Sequence, residues 1–121
     1  MMPYEKFEAW NRTHQLALEV YRITSTWPAG ERYSLTAQTR RAALSAPTNI
    51  AEGAAKRGLR EFRRYLDISL GSLSELAYLL RFSKDCGVLD EETFRSLEEL
   101  RSKAGVLTWR LYRCLGRSSH L

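Results

Sequence analysis

Apolar and small residues recur at helical spacing along most of the chain, most regularly between residues 33 and 87. Two periodic runs in this segment meet at the polar residues 56–58, which predicts two antiparallel helices joined by a tight turn. The periodic positions are Leu35, Ala42, Ala46, Ile50 and Gly53, then Phe62, Leu66, Leu73, Ala77 and Leu80. We expect the other helices to pack on this hairpin.

Residues with special backbone preferences mark the ends of the two hairpin helices. Ser34 is predicted to cap the second helix, and Pro47 to kink that helix without ending it. Gly58 is predicted to cap the third helix, with the Glu61 side chain bonding back to it. Gly87 should end the third helix in a left-handed conformation.

One helix is predicted on each side of the hairpin. The first runs from about residue 5 to residue 26, and the loop 28–32 follows it. Asp90 should cap the fourth helix, with Leu89 and Phe94 as a hydrophobic staple, and Gly116 should begin a frayed tail. Four helices with short connections predict an all-α, antiparallel up-down-up-down four-helix bundle, forming one domain over residues 1–121.

A second apolar stripe on the third helix indicates an oligomer. Ile68, Leu79 and Phe82 lie off its main stripe, and the apolar arc of the first helix is broader than one core requires. Because a monomer rarely exposes such stripes, we expect another subunit to cover them, with these three residues as the candidate interface.

The amino-acid composition indicates the class of protein and its net charge. The chain is 44% hydrophobic and 27% charged, as in ordinary globular proteins, and its net charge of +5 permits a polyanionic partner. No apolar run is long enough for a membrane span, and the first residues do not resemble a signal peptide. Cys86 and Cys114 are expected to be reduced, partly buried thiols, so we expect a cytoplasmic protein without a membrane partner.

The chain contains no pattern that predicts catalysis. His14 and His120 are its only histidines, and neither has metal-ligating or nucleophilic residues at a useful spacing. A phosphate-binding glycine loop is absent as well. We therefore expect no catalytic residues, no metal and no cofactor, which argues against an enzyme.

Asn49 and Glu52 are the most unusual polar residues, because they lie one turn apart on the helix that is richest in small residues. In the structural interpretation they bond to one another or to Arg41 and set the register of helix packing. In the functional interpretation they contact a ligand or a nucleotide.

Two clusters of basic residues are candidates for binding nucleic acid. The first cluster surrounds the predicted turn between the second and third helices, and the second occupies one face of the fourth helix, where no acid follows Glu99. Cations beside an exposed aromatic residue suit phosphate contacts together with base stacking. The candidates are Lys56, Arg57, Arg60, Arg63 and Arg64 in the first cluster, and Lys103, Trp109, Arg110 and Arg113 in the second. Alternatively, these are solvated helix faces, and Trp109 fills a contact between subunits.

Several of these residues also carry a family resemblance. The chain resembles the four-helix-bundle proteins associated with intervening sequences in bacterial 23S rRNA, and it is similar to the accessory variability determinant proteins of diversity-generating retroelements. The matching residues are Tyr4, Phe7 and Trp10, then Gln38, Arg40, Arg41, Ser45, Pro47 and residues 49–53, then Glu61, Phe62, Tyr65, Leu66, Gly71, Ser72, Glu75 and Leu76. At Gly58 the chain departs from the Ser or Thr cap that these proteins usually carry.

The resemblance implies a ring-shaped homopentamer around a central channel. For the retroelement proteins it also implies binding to nucleic acid and association with a reverse transcriptase. Five chains of net charge +5 carry roughly +25, which should attract RNA or DNA with little sequence preference. The competing hypothesis is an oligomeric scaffold that recruits a protein partner and has no nucleic-acid role.

Overall fold

The computed structural model describes residues 1–118, which form four α-helices and two short 3-10 turns without any strand. Helix α1 spans Glu8–Thr24, α2 spans Leu35–Ala54, α3 spans Leu59–Asp85 and α4 spans Glu91–Ser118. The 3-10 turns at Pro3–Lys6 and Ala29–Glu31 precede α1 and α2. His120 lies outside the described residues.

Each helix packs on its neighbours in sequence, and α1 closes the square against α4. The diagonal pairs, α1 with α3 and α2 with α4, make no backbone contact within residues 1–118. This arrangement is the predicted antiparallel up-down-up-down four-helix bundle, and the core that fills it is made of leucine, alanine and a few larger residues.

The predicted helix ends are confirmed where a local backbone signal determines them. Pro47 lies inside a continuous α2 and so does not end the helix, and Gly87 ends the α3 segment with a φ of +85°. The kink at Pro47 stays a prediction. The Gly87 N–H donates to the Lys84 carbonyl (3.1 Å) and the Val88 N–H donates to the Ser83 carbonyl (2.9 Å). These two bonds form the Schellman motif, which satisfies the last carbonyls of the helix.

Asp90 caps α4, as predicted. Its Oδ1 accepts from the Thr93 backbone N–H (2.8 Å) and its Oδ2 accepts from the Thr93 hydroxyl (2.9 Å). Because the ionised carboxyl accepts both bonds, the pKa of Asp90 lies below its usual range. Leu89 and Phe94, which flank the cap, both join the main core cluster.

Ser34 and Gly58 are the N-cap residues of α2 and α3, as predicted, but the side-chain capping bonds do not form, because a nearby residue competes for each side chain. The Ser34 hydroxyl donates to the Glu31 carboxylate (2.9 Å) and makes no bond to the first turn of α2. The Glu61 carboxylate accepts from the guanidinium of Arg64 (3.3 Å) instead of bonding back to Gly58. Gly58 is still the N-cap of α3, with a φ of +85°.

One residue of the predicted subunit interface needs correction. Leu79 is buried in the main core cluster, so it cannot serve in an interface with another subunit. It lies two turns after Ser72, whose hydroxyl is 2.7 Å from that of Ser45 on α2, and seven residues return to the same helix face. Leu79 therefore faces α2.

The end of α4 and the cysteines also differ from the predictions. Gly116 does not begin a frayed tail, because α4 continues to Ser118. Cys86 and Cys114 are exposed, not partly buried, and they are not joined by a disulfide.

Helices α2 and α3 pack closely at Gly53, which is buried. A Cβ atom added there would lie 2.7 Å from the Cβ of Tyr65 and 2.9 Å from Cδ1 of Phe62. Because a real Cβ does not approach other atoms so closely, the two helices can pack in this way only if residue 53 has no side chain.

We expect Gly53→Ala to lower the free energy of unfolding by about 1–3 kcal/mol, because the added methyl group forces the hairpin apart. Gly105→Ala is the matched control, since Gly105 also lies inside a helix but has no atom within 4 Å of the added Cβ. There the better helix propensity of alanine should raise stability by roughly 0.5–1 kcal/mol. Urea titrations of the two variants that show equal effects would contradict the close packing.

Candidate nucleic-acid interface

The fold gathers basic residues from two distant parts of the sequence at one end of the bundle. The α2–α3 turn lies at this end, and because α3 and α4 are antiparallel, the last turns of α4 lie beside the first turns of α3. Lys56, Arg57 and Arg60 are exposed and form no ion pair with any described residue. We call this end, made of residues 56–64 and 109–117, the basic end.

Arg63 joins the two parts of the basic end. Its Nε–H donates to the Tyr112 carbonyl (3.2 Å), and its guanidinium carbon lies 4.0 Å from the centre of the Tyr112 ring. A Cβ atom at Gly116 would lie 2.8 Å from Nη2 of Arg63, so glycine at that position makes room for the guanidinium. Arg63 is half-buried, and its first role is to hold α3 against α4.

Arg64 is exposed, but its charge is partly balanced. Its Nη2 lies 3.3 Å from Oε2 of Glu61, and this hydrogen bond raises the pKa of Arg64. Both side chains are about half exposed, so the pair adds little stability and can open to another anion.

An open cavity of about 550 Å³ lies between α3 and α4 at the basic end. Its lining residues are Arg60, Glu61, Arg63, Arg64, Asp67 and Tyr112. Three guanidinium groups face two carboxylates here, so the cavity is positive overall and can accept an anionic group without deep desolvation.

Trp109 is 48% exposed and stacks on Tyr112, with ring centres 5.6 Å apart and planes at 18°. Because Arg63 also lies against Tyr112, the two aromatic rings and the guanidinium form a continuous set of planar groups. The sequence analysis did not identify Tyr112, although its spacing of three residues from Trp109 places both on neighbouring positions of one helix side. Such an exposed ring can stack with an unpaired base.

The structure divides the predicted binding face of α4 between two sides of the helix. Lys103 and Arg110 line a shallow groove of about 300 Å³ that also includes Arg12 of α1, and Lys103 pairs with Glu99 (3.2 Å). Trp109 lies on the side of Tyr112, and therefore toward α3. Arg113 is exposed at the basic end. Arg12, which pairs with Glu8 (3.6 Å), could not be placed in this groove from sequence spacing alone.

The predicted polar motif does not form. The Asn49 side chain donates to the Ser45 carbonyl (2.8 Å) and lies 3.0 Å from the Ser45 hydroxyl, both within α2. Arg41 and Glu52 are exposed, and within residues 1–118 no hydrogen bond or ion pair joins them to Asn49 or to one another. The interpretation that these three residues satisfy one another is therefore wrong, because Asn49 finds its partners one turn back on its own helix.

The other candidate features do not form a functional site among the described residues. His14 stacks on Trp10, with ring centres 4.7 Å apart. The described residues contain no group of three or more histidine, cysteine or acidic side chains that could hold a metal ion. None of the helices in residues 1–118 combines the length and apolar character that crossing a bilayer requires.

The fold and this surface define a class: an antiparallel four-helix bundle with cations concentrated at one end. Comparison with known proteins identifies the family. The 23S rRNA-intervening sequence protein family matches residues 5–108, and the chain belongs to it. Among curated proteins, none matches the sequence.

A solved structure shows the same fold. It is a protein of unknown function from the S23 ribosomal protein family of Bacteroides thetaiotaomicron VPI-5482, with a TM-score of 0.81. The match covers 87% of this chain and 95% of that one at 16% identity. At this identity the likeness concerns the fold alone.

Proposed function

We propose that the protein is a cytoplasmic, oligomeric and non-catalytic accessory protein that binds RNA or DNA through its basic end with little sequence preference. The observation that carries this proposal is the meeting of the α2–α3 turn with the last turns of α4. Lys56, Arg57 and Arg60 have no ionic partner among the described residues, and Arg113 lies at the same end of the bundle. Exposed cations placed together attract the phosphate backbone, whereas the same number spread over the surface would not form a common field.

The aromatic side of the basic end supports contacts with unpaired bases. Trp109 is exposed and stacks on Tyr112, which also contacts Arg63, so one strand can place a phosphate near the guanidinium groups and a base on the indole ring. The groups available at the basic end are exposed cations and an aromatic ring, and contacts to the phosphate backbone carry no sequence information. Weak sequence preference therefore follows from the contacts available.

Exposed apolar residues favour assembly into an oligomer. Ile68, Glu75 and Phe82 recur every seven residues along one side of α3, and both apolar members are more than 40% exposed. Glu75 on this side and Arg41 on the neighbouring α2 have no ionic partner in residues 1–118. Charged residues of a second copy could therefore pair with each of them.

The position of a second exposed apolar face suits a ring. Leu18 and Tyr21 on α1 are 57% and 41% exposed, and α1 lies diagonally opposite α3 in the bundle. A closed ring requires contact between two different faces of the subunit, and diagonal helices present faces that point apart. We therefore propose a ring-shaped homo-oligomer, with a pentamer as the number that the family resemblance implies. Association with a reverse transcriptase stays a prediction of that resemblance.

The alternative is an oligomeric scaffold for a protein partner, and the exposure of Tyr78 (65%) and Leu44 (48%) favours it. These residues leave apolar surface available even if Ile68 and Phe82 are covered. The accessibility of Trp109 favours nucleic-acid binding over the scaffold, because a buried Trp109 would leave the arginines without a surface for stacking.

Replacing both Ile68 and Phe82 with Glu should convert the oligomer to a monomer of 14.0 kDa, because association would bury two unpaired carboxylates against an apolar face. Light scattering at micromolar concentration measures the mass. Tyr33→Glu is the control, since Tyr33 is 89% exposed in the connection between α1 and α2 and should leave the mass unchanged. A wild-type protein that is already monomeric would contradict the oligomer.

Replacing Lys56, Arg57 and Arg60 together with Glu should weaken binding to single-stranded and duplex nucleic acid by about tenfold or more at roughly 50 mM salt. The slope of log affinity against log salt should flatten by about three, one for each lost phosphate contact. A salt titration with fluorescently labelled RNA and DNA of several sequences measures both quantities. Arg63 is left intact because its contact with Tyr112 supports the fold.

The matched control for this charge reversal is the triple replacement of Arg22, Arg81 and Arg95 with Glu. These exposed residues lie toward the opposite end of the bundle, and the net charge changes by the same amount. The control should lose much less affinity than the first triple variant. Equal losses of affinity in the two triple variants would show that net charge matters and the basic end does not. If the wild type does not bind nucleic acid at about 50 mM salt, the scaffold is favoured.

Trp109→Ala should weaken binding to single strands by about fivefold or more and leave duplex binding nearly unchanged, because only unpaired bases can stack on the indole ring. Tyr33→Ala, which removes an exposed aromatic ring far from the basic end, serves as the control. Equal effects of Trp109→Ala on single strands and duplexes would indicate that Trp109 acts through subunit packing.

A further inference from the structure

A second polar cavity lies at the opposite end of the bundle, between the last turn of α1, the Ala29–Glu31 turn and the first turn of α2. Its volume is about 390 Å³, within the usual range for small-molecule sites. Arg32, Thr36 and Arg40 line it together with Trp27 and Pro28, and no carboxylate does. It is separate from the basic end.

Arg40 is held in place at this cavity by its own helix pair. Its Nε–H donates to the Thr24 hydroxyl (2.7 Å) and its Nη2 donates to the Tyr21 carbonyl (3.3 Å). Its guanidinium carbon also lies 4.7 Å from the centre of the Tyr21 ring. A guanidinium has five N–H donors, so three remain for a ligand after these two bonds. The group needs no further ordering before it binds an anion.

Thr36 supplies a hydroxyl that lacks a protein partner. The residue is 6% exposed, it lines the cavity, and its hydroxyl makes no hydrogen bond within residues 1–118. Unlike the Thr39 hydroxyl, which is buried without a partner in the described part of the chain, the Thr36 oxygen remains accessible, so a ligand in the cavity can bond to it.

The first turn of α2 adds a positive field at the same place. Thr36 is the second residue of this 20-residue helix, and no side chain caps the helix, because the Ser34 hydroxyl donates to Glu31 instead. The N–H groups of an uncapped first turn favour a negative charge. Arg32 is exposed near this turn without an ionic partner among the described residues.

We propose that this cavity binds a phosphate group, carried either by inorganic phosphate or by a small phosphate monoester. Two guanidinium groups, an unpaired hydroxyl and the start of a helix supply donors from several directions, which suits an anion with several acceptor oxygens. Trp27 and Pro28 form an apolar wall beside these donors, where the organic part of a monoester can pack. The site is independent of nucleic-acid binding at the basic end.

Calorimetric titration with inorganic phosphate tests the site. Arg32→Gln and Thr36→Val should each weaken binding by about tenfold, because each removes a donor to a charged group. Thr36→Ser, which keeps the hydroxyl, should bind within about twofold of the wild type by the same reasoning. Arg41→Gln removes an exposed charge outside the cavity and should also bind like the wild type. Arg40 is left unchanged because it also joins α1 to α2.

A nucleoside 5′-monophosphate and the matching nucleoside distinguish the sources of the phosphate. Tighter binding of the monophosphate than of inorganic phosphate supports a monoester ligand that contacts the apolar wall, and equal binding supports inorganic phosphate. The nucleoside alone should not bind. The proposal is overturned if the wild type binds no phosphate at about 10 mM. It is also overturned if Arg32→Gln and Thr36→Val bind phosphate as Arg41→Gln does, or if the nucleoside binds as well as its monophosphate.

Discussion

The contact of α2 with α3 at Gly53 determines where the basic end of this protein lies. A side chain at residue 53 would overlap Tyr65 and Phe62, so the hairpin closes only around a glycine. Because the hairpin closes tightly, its turn forms one end of the bundle and carries Lys56, Arg57 and Arg60 into solvent there. Helix α4 returns along α3 and ends beside the same turn, where Arg63 bonds to Tyr112. The basic end is therefore a consequence of helix packing.

The architecture could be predicted from sequence because local signals determine most of it. Gly87 adopts the positive φ that glycine alone tolerates easily, Asp90 accepts from the Thr93 N–H, and Pro47 only interrupts one hydrogen bond within a buried helix. Each of these features depends on residues within one turn. The spacing of apolar positions then assigns the core face of each helix.

The wrong predictions arise where two groups compete for one hydrogen-bond partner, or where one face of a helix borders two other helices. Glu61 can bond either to its helix start or to Arg64, and the sequence alone does not rank these partners. Leu79 and Phe82 both lie off the main stripe of α3, yet Leu79 faces α2 and only Phe82 is exposed. The orientation of α3 relative to α2 decides between them. The same limit applies to the candidate site, because Tyr112 and Arg12 acquire their positions only through contacts between helices.

The central claim is that nucleic acid binds at the end formed by residues 56–64 and 109–117. Hydrogen–deuterium exchange of the protein with and without a single-stranded RNA tests it directly, because the same sample reports on both ends of the bundle. The account predicts slower exchange at the α2–α3 turn and at the last turns of α4, with no change at the α3–α4 connection around Gly87. Protection confined to the α3–α4 connection, or no protection in a complex known to have formed, would contradict it.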